Sequence, residues 1–76
     1  SDVVFTPSAE DKNLMHANLQ TLDPDGKGVT LDKLRTFYPK TGWSPILVIL
    51  RALVAEGRAR TAMRGQPVAF EYFIWQ

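Results

Sequence analysis

The chain has 76 residues, 45% of them hydrophobic, no cysteine and a formal net charge of +1. That length suits one domain with a small core, the apolar content argues against intrinsic disorder, and the missing cysteine excludes disulfides, thiolate metal sites and a cysteine nucleophile. No apolar run approaches the roughly 18 residues that span a bilayer, and no basic-then-apolar leader follows Ser1, so a soluble intracellular protein, cytoplasmic or nuclear and without a membrane partner, is expected.

The small net charge hides an asymmetry. Residues 1–26 sum to −4 and residues 27–76 to +5, which makes the second part the candidate surface for a polyanion.

In chain order, residues 1–7 read as an extended arm, since Val3, Val4 and Phe5 precede Pro7, and Phe5 is expected to be buried against the body. Ser8 reads as the cap of a first helix over Ala9–Leu22, with Glu10 and Asp11 at the positive end of its dipole. Met15, Leu19 and Leu22, with Leu14 alongside, form its buried side. Pro24, Gly26 and Gly28 stop it. Asp23-Pro24-Asp25-Gly26-Lys27-Gly28 resembles the opening of an EF-hand loop. Lys27 and Leu34, however, stand where oxygen ligands belong, so an ordinary turn and no metal are expected.

Gly28-Val29-Thr30 has room for one short strand, and Thr30 can cap a second helix over Leu31–Tyr38. Leu31, Leu34 and Phe37, with Tyr38, give its buried side, while Lys33 and Arg35 point away. Pro39 ends it, and Lys40-Thr41-Gly42 turns into the third helix. There Ser44 reads as N-cap, Pro45 as first helical residue and Gly57 as the left-handed terminator. Ile46, Ile49, Leu50 and Leu53 recur at i, i+3, i+4, i+7 and form the core stripe.

After Gly57 the period changes to 2. Arg58–Met63 and Val68–Trp75, separated by Arg64-Gly65-Gln66-Pro67, read as a hairpin in which Arg60 could pair with Glu71. Trp43 and Trp75 read as lid and core, and His16 as a boundary residue. With one histidine, no paired carboxylates at a defined spacing and no Walker spacing around Gly26 and Gly28, no enzyme, cofactor or small-molecule substrate is expected.

The order is helix, short strand, helix, tight turn, helix, glycine and hairpin, an α+β arrangement in a single domain over residues 1–76. From Ser8 to Trp75 it resembles a winged helix-turn-helix domain. The marks are Gly28–Leu34 opening the second helix, Leu53–Arg60 closing the third into the wing, and Arg64-Gly65-Gln66 at the wing tip. The resemblance implies that the third helix enters the major groove and that the wing meets phosphates or the minor groove. Double-stranded DNA is then the leading partner, held mainly through its backbone by Lys33, Arg35, Lys40, Arg51, Arg58, Arg60 and Arg64, in a module of transcription or replication control.

The third helix also supports an alternative. Base edges are read by polar side chains, yet its outward positions are Pro45, Leu47, Val48, Ala52 and Val54, with Arg51 the only long polar residue. Such a face marks contact with a protein partner or a second copy. A regulatory appendage of an enzyme is a third, weaker reading.

Overall fold

The computed structural model describes residues 5–63 and 72–75. Its elements are α1 (Ala9–Leu22), β1 (Val29–Thr30), α2 (Leu31–Arg35), α3 (Trp43–Ala55), β2 (Arg60–Met63) and β3 (Tyr72–Trp75), an α+β arrangement. Residues 1–4 of the expected arm lie outside the described residues, and Phe5 is 38% exposed rather than buried.

At the start of α1, Ser8 Oγ accepts the Asp11 N–H at 3.0 Å while Asp11 Oδ2 accepts the Ser8 N–H at 3.1 Å. This reciprocal pair satisfies two donors that the helix itself cannot. Met15 and Leu19 are buried and Leu22 packs against the core, but Leu14 is 55% exposed. One residue is a rotation of about 100° on a helix, enough to carry Leu14 away from the side that Met15 buries.

Where α1 ends, Asp23 is itself buried, and its two carboxylate oxygens accept the N–H groups of Lys27 at 2.7 Å and Gly28 at 2.9 Å. The residue that mimics a calcium ligand therefore organises its own loop by binding backbone donors. β1 follows directly, and Thr30 Oγ1 accepts the Lys33 N–H at 3.2 Å to cap α2.

α2 is shorter than the expected Leu31–Tyr38. After Arg35 the chain continues in i→i−3 bonds, from Phe37 to Leu34 at 3.0 Å and from Tyr38 to Arg35 at 2.9 Å. Pro39 disfavours helical backbone at the residue before it, and the tighter turns absorb that constraint. They also leave Phe37 40% exposed, against expectation, while Tyr38 packs on the core and its hydroxyl accepts from Asn18 Nδ2 of α1 at 2.7 Å.

α3 begins earlier than its sequence suggests. Gly42, not Ser44, is the N-cap, and no side chain closes that end. Pro45 thus occupies the third helical position, where its missing N–H still costs nothing because the first N–H groups have no intrahelical partner. At the other end Gly57 is left-handed (φ 75°), the Arg58 N–H reaches Leu53 O at 2.8 Å and the Gly57 N–H reaches Val54 O at 3.0 Å. These are the two bonds of a Schellman turn, which reverses the chain.

The three strands form one antiparallel sheet in the order β1-β3-β2. Val29 lies opposite Ile74, and Arg60 to Met63 lie opposite Trp75 to Tyr72. Arg60 is therefore matched with Trp75 rather than Glu71. Glu71 and the expected turn Arg64–Pro67 lie outside the described residues. One core gathers Met15 and Leu19 of α1, Val29, Leu34, the α3 stripe Ile46, Ile49, Leu50 and Leu53, and Ala59 before β2.

Candidate functional site

Two members of the basic set expected to meet phosphate are engaged by the fold itself. Arg35 Nη1 donates to Tyr38 O at 3.3 Å and to Thr41 O, and its guanidinium lies 5.0 Å from the centre of the Trp43 ring. It ties the end of α2 to the start of α3. Trp43, 40% exposed, covers this turn. Arg58 Nη2 donates to Asn13 Oδ1 of α1 at 2.9 Å, and Arg58 Nη1 lies 3.6 Å from Glu56 Oε1. Glu56 in turn accepts from Lys12 Nζ at 2.5 Å. This cluster fastens the exit of α3 to α1. The Lys12 hydrogen bond, helped by the nearby charges of Lys12 and Arg58, holds the Glu56 carboxyl below its ordinary range.

The remaining basic residues are dispersed. Lys33 on α2, Lys40 in the following turn and Arg51 on α3 are exposed, and no hydrogen bond or ion pair engages their charged groups among the described residues. Arg60 is exposed on β2 with an interaction of its own, and Arg64 lies outside the described residues.

The outer side of α3 has the opposite character. Leu47, Val48, Ala52 and Pro45 are half-buried, and Val54 is 38% exposed. Helical rotation divides them, because Leu47, Arg51, Val54 and Ala55 follow one another at i, i+4, i+7, i+8 while Pro45, Val48 and Ala52 lie further round. The first group, with Leu50 and with Thr61 of β2, lines a groove of about 260 Å³. Arg51 is the one charged side chain among its lining residues.

Comparison with known proteins finds no matching family model, no matching curated protein and no matching solved structure. The groove must be read from its own chemistry.

Ala55 lies on the side of α3 opposite the core stripe, as helical spacing places it, whereas Thr61 and Leu50 escape a reading of the outward face of α3. Leu50 is both a core residue, 3% exposed, and part of the groove floor. Thr61 joins the lining from β2, and a signal for it exists in the period-2 pattern: Ala59, 3% exposed, belongs to the core, so the residue two further on lies on the same side of the strand. No helix among the described residues is long and apolar enough to cross a membrane.

Proposed function

We propose that this chain is a winged helix-turn-helix domain whose third helix docks protein instead of reading base edges. The fold assignment rests on the element order and on a sheet in which β3 lies between β1 and β2. The observation that carries the functional reading is the groove of Leu47, Leu50, Arg51, Val54, Ala55 and Thr61, apolar but for one guanidinium and one hydroxyl. Major-groove readout needs several donors and acceptors on the presented face, and Leu, Val and Ala supply only methyl contacts. Exposed apolar surface beside a groove is what a partner's side chains bury. The diversion of Arg35 and Arg58 into internal bonds supports the same reading.

A second reading, sequence-independent binding of duplex DNA, is favoured by Lys33, Lys40 and Arg51, whose charges are unengaged among the described residues. The two separate by titrating one isotope-labelled sample with peptides selected from a displayed helical library and with mixed-sequence duplex DNA at low salt. Docking predicts that peptides move the amide signals of Leu47, Arg51, Val54 and Thr61, and that a folded Leu47→Lys/Val54→Lys variant loses the effect. Enrichment of no groove-binding peptide, with DNA shifting α3 and weakening steeply as salt rises, would replace docking by the nucleic-acid reading.

A further inference from the structure

Resting on the docking reading, we propose that the α3 groove takes a short amphipathic helix of another protein that presents a carboxylate to Arg51. The argument begins with the position of that charge. Arg51 stands one helical turn from Leu47 on one side and from Val54 and Ala55 on the other, so it is central to the groove lining. Its guanidinium has no partner among the described residues, whereas Arg58 on the same stretch of chain is doubly engaged. Once a partner covers the groove, water is removed from around Arg51, and a buried unpaired charge is costly. A partner that fits must therefore bring an anion to that spot. A planar guanidinium matches a carboxylate in two parallel hydrogen bonds.

The remaining lining fixes the rest of the occupant. From Leu47 to Ala55 the helix rises about 12 Å, close to two turns. Ala55 and Thr61 are small, which lets a second backbone approach, while Leu47, Leu50 and Val54 offer aliphatic surface on the floor and sides. An apposed helix with apolar residues at i, i+3 or i+4, and i+7 fills that length, and an Asp or Glu within the same span reaches Arg51.

A two-fold pairing of this groove with its own copy does not meet these demands. About a two-fold axis through the groove, the central residue meets itself, so Arg51 would face Arg51. The carboxylate nearest on the chain, Glu56, is already held by Lys12 and Arg58. Charge complementarity thus selects an acidic helix over a second α3.

The test is selection from a displayed library of helical peptides with every outward position randomised. It is run in parallel against the natural sequence and against Arg51→Glu, with Arg51→Gln as a neutral control. Circular dichroism confirms that all three are folded. We expect peptides enriched on the natural protein to carry apolar residues at helical spacing with an Asp or Glu between them, and to shift Leu47, Val54 and Thr61. They should bind Arg51→Glu about tenfold or more weakly. Selection on Arg51→Glu should enrich Lys or Arg instead. Groove-binding peptides with no acidic preference, or with the same preference on Arg51→Glu, would overturn the carboxylate and leave docking intact. Failure to enrich any groove-binding peptide would overturn both. A sedimenting dimer that buries the groove, or duplex DNA shifting the same residues through Arg51, would overturn the acidic-helix occupant in favour of a second copy or of nucleic acid.

Discussion

Leu53 and Val54 are neighbours on α3, and Arg51 and Arg58 lie about two helical turns apart along the same stretch. In each pair one residue is used by the fold and the other is not. Leu53 is fully buried and Val54 is 38% exposed. Arg58 returns through the Schellman turn to bind Asn13 and Glu56, while the Arg51 guanidinium meets nothing among the described residues. Residue type therefore does not decide what a side chain is for. The inner stripe and the exit of α3 contribute to stability, and the outer stripe contributes a surface.

The sharpest way to break this contrast is to truncate both members of the first pair. Leu53→Ala removes a fully buried side chain and leaves a cavity, so it should cost about 2–5 kcal/mol, a large share of the stability of a domain this size. Val54→Ala, at a position already open to water, should cost less than about 0.5 kcal/mol. Urea denaturation of the two variants reads the difference directly. Equal losses would mean that both sides of α3 are internal and that the groove is not a surface.

A smaller effect is expected at the turn that brings Arg58 back to α1. Gly57 has φ 75°, and a Cβ placed there meets nothing within 4 Å, so the cost of Gly57→Ala is purely that of left-handed backbone. That is about 1–2 kcal/mol. The Asn13 side-chain amide signals, which report the hydrogen bond from Arg58, should shift with it. A stable variant with unchanged Asn13 signals would show that the turn tolerates another backbone path and that the α1 cluster does not depend on it.

Sequence periodicity carried much of this fold. The span Ala9–Leu22, the core stripe of α3, the Ser8 and Thr30 caps and the left-handed Gly57 each follow from neighbours within four residues, where spacing and side-chain chemistry are visible in the sequence. What escaped depends on distance along the chain or on competition between equally good local choices. Ser44 is an excellent cap, but Gly42 takes that place. Leu14 is as apolar as Met15 and is separated from it by rotation alone, a step of about 100° per residue, whereas Phe37 is left exposed by the tighter i→i−3 turns that follow Arg35. Arg35 and Arg58 looked like surface charges because their partners, the carbonyls of Tyr38 and Thr41 and the amide of Asn13, carry no periodic signal. The candidate site was half legible: Leu47, Arg51, Val54 and Ala55 are readable from the helix, but the contribution of Thr61 from β2 is not.

The smallest expected effect is a pH dependence confined to the exit cluster. Glu56 is ionised and accepts from Lys12, with Arg58 nearby, and its carboxyl titrates below the ordinary glutamate range for that reason. A carboxyl whose pKa is depressed by folding adds stability while both states are ionised. That contribution is present above the unfolded value and is lost as pH falls through the folded one. Natural protein should therefore lose stability on acidification through and below the ordinary carboxylate range, and Glu56→Gln should flatten part of that slope. The effect is modest because the group is exposed and solvent screens it. Added salt should shrink the difference between the two proteins further. The Arg51 side of α3 supplies the control, since Arg51→Gln should leave the acid slope as it is in the natural protein. Parallel pH–stability profiles for the natural protein and Glu56→Gln would remove the ion cluster from the account of how α3 is fastened, leaving the buried stripe and the Schellman turn to hold it alone.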